Sequence, residues 1–352
     1  MHLVIVTSLD ALSRNSAVLE LSAHRPGTPV VLHDLLDDGL VTRRVHIDSE
    51  LTERGSSVLE HGCLSCTVRF ELGPTLLRLA AAGATHAIVG LPPGTTAENA
   101  VDGLFTIAPE TFVVDTVALS VCAEDVEDQL WDHHTLFASG YTAVPGDSLT
   151  PGEFLIGEFL FSDTVLTTTS ELLPGDPALS DRGIALIGEL APHTRISPVV
   201  PGSAAAPALG HHDHAAARER SSPGTVTVRP TASTPFRTIE HRIDRPLHPD
   251  RFRTALGTIA QGCCYVRGSV WIAGILDTRV ALHGAGPRIA LGDGGTWGAG
   301  TAHGEGYRGT HIALTGDDMD DSDIARLLDA CALTDDELRT SPATFRRPAS
   351  HH

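Results

Sequence analysis

Two cysteines three positions apart, Cys63 and Cys66, lie in the run His61-Gly62-Cys63-Leu64-Ser65-Cys66-Thr67-Val68-Arg69. Thiolates at ~2.3 Å suit a borderline cation such as zinc, so a tight loop of this kind can place two sulfurs on one ion. The run follows a strand-like segment and precedes a helical one. Sulfurs at the start of a helix have lowered pKa values, which favours the thiolate. A redox pair and two buried structural cysteines are rival readings of the same spacing. Two donors fall short of the four of a structural zinc site and the three of a transfer site. His61 supplies a third donor and Glu60 a weaker one, although a surface or hydrogen-bonding histidine is the plainer reading of His61. So few ligands hold zinc weakly and exchange it readily, which fits sensing better than a permanent structural role.

The other chemistry-bearing residues narrow the field. The 352 residues include no lysine, so all 25 basic side chains are arginine; they face 44 acidic ones for a net charge of −19. Schiff-base chemistry, a catalytic lysine and the lysine of a working phosphate loop are excluded. The negative balance argues against direct DNA binding or a membrane surface and leaves proteins as the expected partners. Ser8, Ser13 and the scattered His and Asp residues form no nucleophile elbow, so no hydrolase is expected. The run His211-His212-Asp213-His214 offers imidazoles to a metal, or solvated histidines. Cys263 and Cys264 are adjacent at a strand start, point to opposite faces and read as buried. The acidic run from Gly316 to Asp323 lacks the glycine and glutamate of a calcium loop and reads as N-capping for the helix that follows. With six unevenly spread cysteines, no signal peptide and no long apolar span, the expected location is the cytoplasm.

The elements that must position these residues alternate short apolar runs with amphipathic stretches over residues 1–196, the pattern of a doubly wound α/β sheet. Strands are predicted at Leu3–Thr7, Val30–His33, Val41–Ile47, Ala87–Val89, Phe112–Val114, Thr164–Leu166 and Thr194–Ile196, and helices at Leu76–Ala82 and Glu153–Phe161. Residues 197–234, rich in Pro, Gly, Ser, Ala and Thr, read as a flexible linker. Residues 235–334 read as a smaller α+β domain. It has strands at Phe236–Arg242, Cys264–Ala273, 276–283, 287–291 and 310–315, and helices at Pro249–Ala260 and Asp321–Ala330. Residues 335–352 read as a tail.

Gly62-Cys63-Leu64-Ser65-Cys66-Thr67-Val68-Arg69 resembles the Gly-Cys-x-Cys-Cys-Thr-x-Arg signature of the CobW family of P-loop GTPase metallochaperones. Arg245-Pro246-Leu247-His248-Pro249-Asp250-Arg251-Phe252 resembles the opening of that family's C-terminal domain, and Val266-Arg267-Gly268-Ser269-Val270-Trp271-Ile272-Ala273 the strand that follows. The match runs in the same order over most of the chain. It implies a P-loop-like first domain, a CobW-type second domain, zinc as the metal and a structural role for His248 at a helix start.

The departures are as informative. Thr7-Ser8-Leu9-Asp10-Ala11-Leu12-Ser13-Arg14-Asn15-Ser16 stands where the family has its glycine-rich phosphate loop; it has no glycine, and Asp10 repels a phosphate. Val89-Gly90-Leu91-Pro92-Pro93-Gly94 lacks the acid of the switch segment. Thr167-Thr168-Thr169-Ser170 lacks the guanine-pairing aspartate. Ser65 replaces the middle cysteine. This pattern is similar to a degenerate actinobacterial branch that recruits protein Y, a ribosome hibernation factor, under zinc limitation. The resemblance therefore implies a zinc-homeostasis protein with a degenerate nucleotide site around Ser8, Asp10 and Arg14, recruiting a hibernation factor or the small ribosomal subunit. The alternative is a GTP-dependent zinc metallochaperone serving a client protein, with Arg14 in place of the missing lysine.

Overall fold

The computed structural model describes residues 1–59, 67–169, 175–229, 235–297 and 308–344, with side chains through residue 339. It divides into two compact units, Met1–Ala217 and Arg218–His352.

The first unit is built on an eight-stranded sheet of β1 (His2–Ser8), β2 (Val30–Leu35), β3 (Leu40–Ile47), β4 (Glu50–Val58), β5 (His86–Gly90), β6 (Val113–Cys122), β7 (Thr164–Thr168) and β8 (Arg195–Pro198). Their order is β4-β3-β2-β5-β1-β6-β7-β8. The six strands from β2 to β8 run parallel, and β3 and β4 pair antiparallel at one edge. β1 is central and buried through Leu3–Ser8, as a continuous apolar run in a parallel sheet requires.

The helices of this unit are α1 (Ala11–Ala23), α2 (Gly73–Ala81), α3 (Ala97–Ile107), α4 (Val126–Trp131), α5 (Pro151–Phe161), α6 (Pro177–Leu190) and the first half of α7 (His214–Ser221), which runs across the division at Ala217; a π-helical turn, Val68–Leu72, leads into α2. Ala17, Val18 and Leu21 of α1 pack on one sheet face against Val4, Val6, Val30, Leu32 and Ile88. Val68, Leu72, Leu76 and the α3 residues Ala97, Ala100, Val101 and Leu104 cover the other, against Leu3, Ile5, Val31 and Val89. This is the doubly wound arrangement expected from the alternating pattern.

β4 escapes the sequence pattern. As an edge strand it is paired on one side and partly exposed, so the apolar run that marks an inner strand is missing. β6 extends well beyond Phe112–Val114 because its later residues, through Cys122, are buried between β1 and β7.

Residues 197–217, read as the start of a flexible linker, are packed on the first unit. The His212 backbone N–H donates to the Asp115 carbonyl at 2.8 Å, and its Nδ1 lies 3.0 Å from Asp163 Oδ2. Ala217 of α7 joins the apolar cluster of β1 and α3. Composition misled here because two buried anchors, an imidazole on a carboxylate and a small apolar side chain, suffice to order a stretch otherwise poor in apolar residues.

The second unit contains a five-stranded antiparallel sheet, β9 (Phe236–Ile243), β10 (Tyr265–Val270), β11 (Thr278–Ala285), β12 (Arg288–Thr296) and β13 (Thr310–Asp317), in the order β12-β11-β10-β13-β9. Its helices are α8 (Pro249–Gly262), α9 (Asp321–Asp329) and α10 (Asp335–Thr344). Phe252, Ala255, Ile259 and Leu328 from α8 and α9 pack against Val266, Val270, Leu282, Ile312 and Leu314 of the sheet. The region read as a tail thus begins with a helix, held by the Arg251 guanidinium on both Glu337 carboxylate oxygens at 2.9 Å.

Candidate functional site

In a doubly wound sheet, ligands bind beyond the carboxyl ends of the parallel strands. Among the six parallel strands, the ends of β1, β2 and β5 lie side by side around α1, which starts directly after β1.

Asp10 is the N-cap of α1. Its extended backbone (φ −125°, ψ 155°) turns the carboxylate back so that it accepts from the Ser13 N–H at 2.7 Å. Ser8 is buried, and its Oγ accepts from the Asp10 N–H at 3.2 Å while its carbonyl accepts from the Gly94 N–H at 3.0 Å. A helix N-terminus attracts anions through its free N–H groups and dipole. In this chain a carboxylate of its own already occupies that position.

Arg14, one turn into α1, is completely buried. Its Nη1 donates to the His33 carbonyl at 3.1 Å and the Leu91 carbonyl at 2.9 Å. Nη2 reaches Asp34 Oδ1 at 2.7 Å and Asn15 Oδ1 at 3.0 Å, and Nε reaches Asn15 Oδ1 at 3.2 Å. A guanidinium has five N–H groups, and these contacts engage all of them. Burial lowers the Arg14 pKa, and the Asp34 carboxylate opposes that shift. Arg14 therefore pins α1 to the carboxyl ends of β2 and β5. Asp34 is shared with Arg44, whose Nη2 lies 2.7 Å away. Beside this network is an open cavity of about 640 Å³, with Arg14, Asp34, Asp37, Arg44, Arg54 and Tyr141 in its walls.

His61, Cys63 and Cys66 lie outside the described residues. The residues flanking them are described. The Leu59 N–H donates to the Gly39 carbonyl at 3.0 Å, and Thr67 is fully buried at the start of the turn leading into α2. That turn covers the sheet face to which Val31 of β2 contributes.

By the two-residue period of a strand, His33 shares the face of Val31. It is 1% exposed, and neither ring nitrogen has a hydrogen-bond partner. Its cross-strand neighbour is Arg43, which reaches Glu53 at 2.8 Å and, on the helical turn after the cysteines, Glu71 at 3.5 Å. Burial, and then the Arg43 cation, bring the His33 pKa down to about 4, so the imidazole is neutral at physiological pH. A neutral imidazole with both nitrogens unbonded is in the protonation state that metal binding requires. Sequence reading missed it; the signal was a single histidine breaking the apolar run Val30-Val31-Leu32.

A second buried group lies under the β1 end. The Ala97 N–H at the start of α3 donates to both carboxyl oxygens of Glu158, at 3.0 and 3.2 Å. Complete burial pushes the Glu158 carboxyl up to about 8, against the opposing bonds from Ala97 and Thr7.

The remaining candidates take structural positions. His212 is tied to Asp163 and packs near the Phe161 ring. His248 caps α8, its Nδ1 accepting from the Asp250 N–H at 3.2 Å. Asp320 caps α9 by accepting from the Ser322 and Asp323 N–H groups. Cys263 and Cys264 are buried, with Cys264 Sγ donating to the Thr315 carbonyl at 3.3 Å.

Residues 236–332 match the family described as the cobalamin synthesis protein cobW C-terminal domain. Over 354 aligned residues the chain is 26% identical to a Mycobacterium tuberculosis protein named as a zinc chaperone, with 89% of this chain and 84% of the relative covered. An uncharacterized Mycobacterium bovis protein matches with the same identity and coverage. Among solved structures, the Zn(II)-bound YjiA GTPase of E. coli aligns over 95% of this chain and 99% of its own, at a TM-score of 0.38 and 11% identity. The likeness to the cobW C-terminal domain thus falls on residues 236–332, the segment that builds the second unit's sheet and its helices α8 and α9.

Proposed function

We propose that this protein serves zinc homeostasis by binding zinc at the Cys63–Cys66 segment and engaging a protein partner, without turning over GTP. The observation that carries this reading is the closed state of the phosphate position: Asp10 caps α1, and all five Arg14 N–H groups are bonded within the protein. A phosphate there would have to displace a carboxylate at 2.7 Å and draw a buried cation away from its partners. The relationship to a protein named as a zinc chaperone supports zinc as the cargo.

In this reading His33 adds an imidazole to the thiolates of Cys63 and Cys66, with His61 at the same segment. Leaving a buried polar group without a partner costs roughly 1–3 kcal/mol, and a metal bond removes that cost for His33. Zinc binding tighter in one arrangement of the segment than another shifts the population towards it and alters the surface offered to a partner. For the ribosome branch, that partner is a hibernation factor acting at the small subunit.

The test is zinc stoichiometry and affinity for the wild type, Cys63→Ser/Cys66→Ser and His33→Ala, followed by partner capture at low and high zinc. Loss of one reversible zinc in the cysteine variant, weaker binding in His33→Ala and zinc-dependent capture are expected. Zinc binding unchanged by the cysteine substitutions, or capture indifferent to zinc, overturns the reading. Calorimetry with GTP and magnesium is expected to show no saturable heat; micromolar saturation followed by phosphate release restores the GTP-dependent metallochaperone.

A further inference from the structure

Directly after α4 the chain reads Asp132-His133-His134, and the fold gathers these three side chains. One ligating atom from each lies within 4.8 Å of the other two, the sole such grouping of three among the described residues. Asp132 Oδ1 is 2.9 Å from His134 Nδ1, and the His133 and His134 rings lie 4.1 Å apart between centroids. The donor set, two imidazoles and a carboxylate, suits zinc and its neighbours in the first transition row.

The carboxylate is positioned from behind. Ser139 Oγ donates to Asp132 Oδ2 at 2.5 Å, which leaves Oδ1 facing His134. Backbone bonds fix the loop that carries Ser139: Leu136 N–H to the Leu149 carbonyl at 2.8 Å, Ser139 N–H to Thr135 at 2.9 Å and Tyr141 N–H to Leu136 at 2.8 Å. Such outer-shell support is what orients metal ligands. The imidazoles face solvent and carry no other bonded partner among the described residues, so small rotations bring the donors to the ~2.0–2.2 Å metal distances of zinc.

We propose that Asp132, His133 and His134 form a solvent-facing zinc site separate from the cysteine segment. Three protein donors leave a fourth, water-occupied position, the open coordination that lets an ion be passed on. On loading, the neutral His134 imidazole moves its single ring proton from Nδ1 to Nε2 by exchange with solvent, which frees Nδ1 and Asp132 Oδ1 for the cation. The ion rests at the base of the loop whose residues Gly140–Ala143 wall the 640 Å³ cavity. The preference for zinc rests on the proposed function; the site itself does not depend on it.

The experiment titrates zinc against a chromophoric chelator, using full-length protein without an affinity tag. Four forms are compared: wild type, Cys63→Ser/Cys66→Ser, His133→Ala/His134→Ala and the combined variant. The cysteine variant is expected to retain one competing zinc, which the combined variant loses. Ser139→Ala in the Cys63→Ser/Cys66→Ser background is expected to weaken that zinc about 10- to 100-fold. The histidines are exposed, so circular dichroism should match the wild type. A cysteine variant without zinc, or a combined variant that still retains it, overturns the site. Cysteine substitutions that remove nothing from the wild-type stoichiometry count against the cysteine reading alone.

Discussion

Replacing Glu158 by Gln should flatten the pH dependence of the first unit's stability. The folded carboxyl takes up its proton near pH 8, whereas the unfolded chain does so near the ordinary value of 4.5. Between those values the folded form holds more protons than the unfolded one, so stability is greatest at the acid end and falls as pH rises. At full effect the slope is ~1.4 kcal/mol per pH unit, which makes the loss from pH 5 to pH 8 on the order of 3–4 kcal/mol. Glutamine keeps an oxygen for the Ala97 N–H and turns an N–H towards Thr7, so its packing cost is small. Denaturant midpoints would be measured from pH 5 to pH 8 in a background with Trp271→Phe and Trp297→Phe. Trp131 of α4 then reports on the first unit alone. The wild type should lose stability steeply relative to Glu158→Gln and fall below it by pH 8. Parallel curves for the two proteins would refute a neutral, buried carboxyl and the reasoning from burial that gives it.

Arg14→Ala should destabilise the first unit by about 3 kcal/mol, the lower end of the range for breaking a buried pair, because Asp34 keeps Arg44 at 2.7 Å. Denaturant unfolding checks the loss, and a calorimetric titration that shows an altered nucleotide affinity instead would contradict the bracing role. His248→Ala should cost the second unit roughly 1 kcal/mol through the lost cap of α8. Thermal unfolding followed at Trp271 measures it, and an unchanged midpoint would refute the cap.

The sequence alone determined the architecture wherever a segment's apolar pattern is its own. Buried runs such as Leu3–Val6 and Val30–Leu32 can only be inner strands, and the capping chemistry of His248 and Asp320 is local to a few residues. The absence of lysine and of loop glycines is likewise written in composition. Tertiary structure decided whatever depends on a neighbour from far along the chain. Asp10 reads as a residue that repels phosphate, but only the turn into α1 makes it the cap that occupies the helix N-terminus. Arg14 reads as a stand-in for the missing lysine until Asp34 and the carbonyls of His33 and Leu91 close around it. The protonation of His33 and Glu158 follows from desolvation by elements distant in sequence, and His212 leaves a linker-like stretch because Asp163 waits 3.0 Å away. Burial and long-range pairing are properties of the folded packing, so no local pattern encodes them.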